Sequence, residues 1–424
     1  MAQHRSALIV VTVMFFLWGF ITELNDVLIP HLKEVFTLKY WQAMLIQFCF
    51  FGAYLVMSIP AGRVIARIGY TLGIVLGLVV AGCGALAFLP AAQLHSYPLF
   101  LGALFVLATG IVLLQVSANP YVALLGAPER APSRLNFAQA INSLGHTLGP
   151  WVGGALILGA AVLGADELAK LSPAEHAAYQ SAQAHAVQAP YLALALALFA
   201  LAVAVRLFRL PPLTEATEQA AERNYGYGDV LRHRQLCLGV VAIFVYVGAE
   251  VAIGSFLGNY LARADIGAIP AAEVGRYISL YWGGAMIGRF VGAALLLTAD
   301  PRRLLVIYAA IAIALLITTI AGGGLISMWS VLAIGLFNSI MFPTIFTLAI
   351  DKLGPMTQKA SSLLVTAIFG GAVIPLVQGY AADLLNASLG NETAALQYAF
   401  CIPILCYVYI AWYGARGSRP AAER

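Results

Sequence analysis

The sequence predicts an all-α membrane protein whose twelve transmembrane helices form two related six-helix halves. Three observations predict it. The chain is 61% hydrophobic and only 10% charged, with a mean hydropathy of +0.87, whereas a water-soluble domain carries about 25% charged residues. Twelve apolar segments can be laid along its length. The Lys and Arg residues fall overwhelmingly on one side of the membrane that those segments imply.

The segments run near 8–32, 42–61, 70–90, 98–125, 136–164, 190–209, 236–262, 274–298, 303–322, 325–350, 358–385 and 394–414. About 20 helical residues cover the hydrocarbon core of a bilayer. The first segment has almost no charged residues before it and no small-residue cleavage site after it, so it reads as an uncleaved span. With the N-terminus inside, Lys33, Lys39, Lys170, Arg263 and Arg276 face outward and the other 18 of the 23 Lys and Arg face inward. The positive-inside rule then puts both termini in the cytoplasm. An odd number of spans would erase this asymmetry. The charged stretch from Pro211 to Arg234 separates six spans from six. It divides the chain into an N-terminal bundle (1–209), a cytoplasmic linker (210–234) and a C-terminal bundle (235–424). Cys49, Cys83, Cys237, Cys401 and Cys406 lie in or beside apolar runs. They read as small buried hydrophobes, not as a disulfide framework or a metal site.

The halves echo each other. Gly145, Pro150 and Gly154 in the fifth span recur as Gly370, Pro375 and Gly379 in the eleventh, 225 residues on. Gly110 recurs as Gly335 at the same offset. Gly62-Arg63 recurs as Gly288-Arg289, and Glu23 as Glu250, at offsets of 226 and 227. One glycine match means little in a glycine-rich chain, but four matches at nearly one offset indicate a repeat.

Polar groups inside the spans are the candidate site. Intramembrane acids are costly and usually face a cavity or a partner. Glu23 and Asp26, three apart near the end of the first span, share a helix face; the alternative places both at the headgroup level. Glu250 lies deep in the seventh span, four residues after Tyr246, with no basic residue near it in sequence. It reads as a buried acid or as one half of a clasp with a Tyr or Asn. Gln115 and Asn119 share a face in the fourth span, and Asn136, Gln139, Asn142 and His146 form a stripe in the fifth. An amide both donates and accepts, so a row of them suits a polyhydroxylated ligand such as a sugar; bonding to neighbouring helices is the alternative for each one singly. Gln47, Tyr54, Asn338 and Gln378 are placed to face the same cavity. Trp18, Phe15, Tyr54, Tyr281 and Trp282 are candidates to stack on a pyranose ring. Gly62, Arg63 and Arg67, with Gly288 and Arg289 in the second half, read as gating elements, or as basic loops that only set orientation. Nothing resembles a nucleotide loop, a metal cluster or a nucleophile–base pair, so no enzyme, cofactor, metal or nucleic-acid partner is expected.

The motifs Leu24-Asn25-Asp26-Val27-Leu28-Ile29-Pro30, Ala118-Asn119-Pro120-Tyr121 and Leu135-Asn136-Phe137-Ala138-Gln139-Ala140-Ile141-Asn142-Ser143 resemble the fucose:proton symporter family of the major facilitator superfamily. That family includes glucose/galactose and N-acetylglucosamine permeases. The resemblance covers most of the chain and implies the major facilitator fold. It implies that Asp26 matches the family's proton-linked carboxylate, and that Gln139 and Asn142 match its sugar-contacting amides. One position departs. The fucose symporter carries a second glutamate just before the Ala-Asn-Pro motif, where this chain has Gln115. Glutamine cannot titrate, which points away from fucose and leaves Glu23 and Glu250 to compensate.

The expected function is therefore secondary active import of a hexose such as glucose, galactose or fucose with protons, by alternating access of two rocking bundles. Asp26, Glu23 and Glu250 carry the proton coupling. Sodium coupling, an N-acetylglucosamine permease and a non-transporting sugar sensor are the alternatives. The expected setting is the bacterial inner membrane, where the chain would lie in the lipid bilayer as a monomer.

Overall fold

The computed structural model describes residues 10–22, 40–94, 96–157, 172, 175, 179, 188–208 and 225–419. Among these residues the secondary structure is helical, with no strand. A backbone crossing a bilayer must satisfy its polar groups within the segment, and the apolar runs of this chain do so as helices.

The first part of the chain forms α1 (Val10–Thr22), α2 (Tyr40–Gln93), α3 (Tyr97–Leu124), α4 (Ala131–Ile157) and α5 (Gln188–Phe208). After a single turn at Tyr227–Val230 come α6 (Arg234–Leu261), α7 (Ala271–Leu295), α8 (Pro301–Ala321), α9 (Gly324–Asn338) and α10 (Met341–Ile350). The chain then forms α11 (Thr357–Thr366), α12 (Gly370–Leu389), α13 (Glu392–Ala399) and α14 (Cys401–Trp412).

Nine helices among the described residues are long and apolar enough to cross a membrane. One of them, Phe48–Gln93, holds two expected spans. The first expected span is described over Val10–Thr22, and the fifth is α4, which carries the amide stripe. Together they account for the twelve expected segments. Gly62, Arg63 and Arg67, read from sequence as gating elements or as basic loops, lie between spans two and three in α2, which stays helical to a kink at Gly69 (φ 81°). Only glycine adopts that backbone readily, so the chain turns there without a loop. Local chemistry sets other ends. Asp300 caps α8 by accepting from the Arg303 N–H, with Pro301 in the first turn. Gly390, left-handed at φ 62°, closes α12.

Proximity divides the chain into two compact units. One comprises Met1–Ala118 and Leu144–Pro211; the other comprises Asn119–Ser143 and Pro212–Arg424. This grouping differs from the expected 1–209 and 235–424 bundles in residues 119–143. The reason lies in the first half of α4, which packs along α7. Ser133 donates to the Ala293 carbonyl at 2.6 Å, Phe137 meets Phe290 edge-on with centroids 6.2 Å apart, and Arg289 donates to Ser143. The expected linker falls largely on residues 209–224, outside the described residues.

The glycine repeat acquires a physical meaning. A Cβ on Gly145 would collide with the Phe16 carbonyl of α1, and one on Gly370 with the Phe244 carbonyl of α6. Equivalent glycines thus admit the same helix approach in each unit, as membrane helices require. Gly370→Ala is expected to lower stability by roughly 1–3 kcal/mol through overpacking. The control is Gly379→Ala, whose Cβ would meet only Phe256 at 3.9 Å. Thermal unfolding of the two purified variants checks this; equal melting temperatures would remove the packing role.

Candidate functional site

In the first unit, Tyr54 of α2 is buried and its hydroxyl accepts a hydrogen bond from Gln115 Nε2 of α3 at 2.9 Å. This pair joins two residues predicted to share a cavity. Trp18 is buried beside Phe15, with ring centroids 5.2 Å apart. Gly62 is buried, whereas Arg63 and Arg67 are exposed on α2.

In the second unit, Asn119, Asn136, Gln139 and Asn142 are all buried, at no more than 6% exposure. Their three- and four-residue spacings put the α4 amides on one face, and Gln139 Nε2 donates to Asn119 Oδ1 at 3.2 Å. Asn136 Nδ2 donates back to the Pro132 carbonyl at 2.9 Å. Asn119 Nδ2 and Asn136 Oδ1 are buried without a hydrogen-bond partner among the described residues. Buried polar atoms are normally paired, and leaving one unpaired costs about 1–3 kcal/mol. Among the described residues the stripe therefore keeps one donor and one acceptor beyond what its neighbours satisfy. Gln378 of α12 is fully buried with both amide atoms in the same condition.

Glu250 organises a second cluster in this unit. The Tyr246 hydroxyl lies 2.8 Å from Glu250 Oε1 and 3.0 Å from the Asn338 carbonyl, so its single proton faces two acceptors. A protonated Glu250 would donate to the Tyr246 oxygen and leave the phenol proton to Asn338. The cluster thus accommodates both states of the acid. Tyr281 donates to the Glu250 carbonyl at 3.2 Å and accepts from Asn338 Nδ2 at 2.7 Å. Tyr407 donates to Asn338 Oδ1 at 2.5 Å. Among the described residues Arg289 is a cation facing the acid, with Nη2 3.8 Å from Glu250 Oε1 and both side chains largely buried.

The structure thus brings Glu250, Asn338 and Arg289 together, although sequence grouped them as a coupling acid, a sugar ligand and a gating residue. Asn338 is held on both sides of its amide by tyrosines. Arg289 reaches inward, and Gly288 beside it is buried against the Leu336 carbonyl and Ser339. Trp282 is 41% exposed and leans on Tyr281, with centroids 5.1 Å apart. Glu23, Asp26 and the side chain of Gln47 lie outside the described residues. Sequence reasoning missed Tyr407, Ser143 and Ser339 as parts of the cluster. Its one available signal was that a buried acid needs a cation, and Arg289 was the arginine closest to a span interior.

These features define a polytopic helical membrane protein with buried polar faces inside its spans. A family description, Major Facilitator Superfamily, matches residues 11–376, and the chain belongs to that superfamily. It is 50% identical over 417 residues to the glucose/galactose transporter of Brucella abortus biovar 1 (strain 9-941), covering 98% of this chain and 95% of that one. It is 35% identical over 429 residues to the L-fucose-proton symporter of Escherichia coli (strain K12), covering 99% and 96%. Its fold is similar to the crystal structure of a Major Facilitator Superfamily transporter, FucP, in the outward conformation. The TM-score is 0.88 at 33% identity, over 98% of this chain and 100% of that one.

Proposed function

We propose that this chain is a secondary active sugar importer that carries a hexose, glucose or galactose, together with a proton by alternating access. The observation that carries the reading is the buried amide stripe of α3 and α4, with Asn119 Nδ2 and Asn136 Oδ1 unpaired among the described residues. A ligand rich in hydroxyls offers such atoms the donors and acceptors they lack. The likeness to glucose/galactose transporters and to an L-fucose-proton symporter supports the same substrate class and the same coupling ion. The chain sits in the bacterial inner membrane with both termini in the cytoplasm. Its halves, 1–209 and 235–424, are joined by the linker 210–234, and it acts as a monomer.

Gln139, Asn142, Asn136, Asn119 and Gln115 hold the sugar hydroxyls, and Tyr54 orients Gln115. Gln47, Trp18, Asn338 and Trp282 complete the sugar-binding set. Asp26 takes up the proton, with Glu23 and Glu250 as the other acids in the spans. Neutralising an acid lowers the cost of enclosing it away from water, so protonation favours the occluded, sugar-loaded state. Gly62, Arg63, Arg67, Gly288 and Arg289 accompany gating.

The experiment is a binding panel on the purified protein with glucose, galactose, mannose, fucose and N-acetylglucosamine. A ligand raises the melting temperature in proportion to RT ln(1 + [L]/Kd). Glucose or galactose is expected to stabilise the wild type, and Asn142→Ala and Gln139→Ala are expected to weaken binding by about tenfold or more each. Stabilisation by none of the sugars would overturn the substrate class. Sugar binding without flux in proteoliposomes would mark a sensor instead.

A further inference from the structure

Arg289 touches three elements of the second unit at once. Nη1 donates to Ser143 Oγ on α4, Nε donates to the Ser339 carbonyl at 3.2 Å just beyond α9, and Nη2 faces Glu250 of α6 at 3.8 Å. Ser143 passes the contact on, donating its own proton to the Gln139 carbonyl at 3.0 Å. Ser143 also follows Asn142 directly in the chain. A polar path, whose first step is the 3.8 Å ion pair, therefore runs from a buried carboxylate to the helix turn that bears two amides of the stripe.

We propose that Arg289 is a positioning residue that couples the charge of Glu250 to the sugar affinity of the α4 amides; this rests on the reading of those amides as the sugar site. The guanidinium is planar, always charged and presents its donors in a fixed fork. It cannot close on Glu250 with Nη2 without drawing Nη1 along the Ser143 hydroxyl. At 3.8 Å the ion pair is longer than a charge-assisted hydrogen bond of about 2.7–2.9 Å, while the Ser143 contact is made. An ionised Glu250 pulls the fork towards α6. A protonated Glu250 turns to Tyr246 and leaves the fork on Ser143. Among the described residues, Tyr246 on its own helix and Arg289 on α7 face the Glu250 carboxylate, Tyr281 on α7 bonds its main-chain carbonyl, and Asn338 at the end of α9 and Tyr407 on α14 extend the same network. Of these, the permanent charge belongs to Arg289. Linkage is reciprocal, so sugar bound at α4 shifts the proton affinity of Glu250 by the same factor that protonation shifts sugar affinity.

The test is a double-mutant cycle in full-length protein, reading glucose and galactose Kd. Glu250→Gln and Ser143→Ala are combined in an Asp26→Asn, Glu23→Gln background, which silences the other two acids. In the path above the two residues are joined through Arg289. Their effects on Kd are expected to be non-additive by about fivefold or more, the lower end of ordinary site-to-site coupling. Arg289→Lys, which keeps the charge and loses the fork, is expected to remove the non-additivity. Independent effects of Glu250→Gln and Ser143→Ala would overturn the proposal while sugar binding itself stands. Loss of all sugar binding in the wild type would instead overturn the substrate reading. Should Glu250→Gln fail to fold, the pH dependence of Kd serves. Ser143→Ala and Arg289→Lys are each expected to flatten it, and an unchanged profile would contradict the coupling.

Discussion

In proteoliposomes, Asp26→Asn is expected to abolish proton uptake driven by sugar and the uphill accumulation that goes with it, while exchange of labelled for unlabelled sugar continues. The argument starts from the cost of an acid within a span. Even lenient scales charge about 3 kcal/mol for it, so a retained carboxylate has a use. Asn keeps the shape and hydrogen bonding of a protonated Asp but cannot exchange a proton. The variant is therefore fixed in the state that closes over sugar and reopens on either side. Exchange needs only that movement. Net accumulation needs the acid to load on one side and unload on the other. One pH unit corresponds to about 1.4 kcal/mol, so one proton per sugar supports about a tenfold accumulation. That accumulation should fall to the equilibrium ratio in the variant. Uphill accumulation surviving in Asp26→Asn would move the coupling to another acid, with Glu250 and Glu23 next in line.

Arg289→Ala is the second large effect expected, and it falls on stability. It strips the cation from a carboxylate whose side chain is only 11% exposed. Removing one partner of a buried ion pair typically costs about 3–5 kcal/mol, because the remaining charge is left uncompensated. The variant also loses the bonds to Ser143 and the Ser339 carbonyl. A marked drop in melting temperature is expected. Adding Glu250→Gln to Arg289→Ala should recover most of the drop, since a neutral amide can still bond Tyr246 without needing a cation. A single variant that melts with the wild type would show that the pair contributes nothing to the fold. A double variant no better than the single would place the loss in the Ser143 and Ser339 bonds.

The architecture was legible because its signals are local. Apolar run length gave the helices, and glycine at one offset gave the repeat. Gly145 and Gly370 turn out to admit equivalent helix approaches. The amide stripe was legible for the same reason, since helix periodicity places Asn136, Gln139 and Asn142 on one face. So was the Tyr246–Glu250 contact, four residues apart within α6. What sequence did not reveal is contact between distant helices. Glu250 and Arg289 meet across α6 and α7, and Asn338, at the end of α9, is gripped by Tyr281 of α7 and Tyr407 of α14. The repeat does not convey surroundings either. It paired Gly62-Arg63 with Gly288-Arg289, yet Arg63 is exposed while Arg289 reaches the buried acid. Matching residue types preserve a position along a helix, but its surroundings are set by what packs against it. The kink at Gly69 was hidden for a related reason: a basic, glycine-bounded stretch reads as a loop, and one left-handed glycine made a loop unnecessary.

The account turns on a proton and a hexose crossing together. Its most direct test is hexose accumulation by wild-type protein in vesicles given an inward pH gradient with sodium absent. Accumulation above the outside concentration, collapsing when a protonophore dissipates the gradient, is the predicted result. Accumulation that appears only under an inward sodium gradient, and not under the pH gradient, would contradict it.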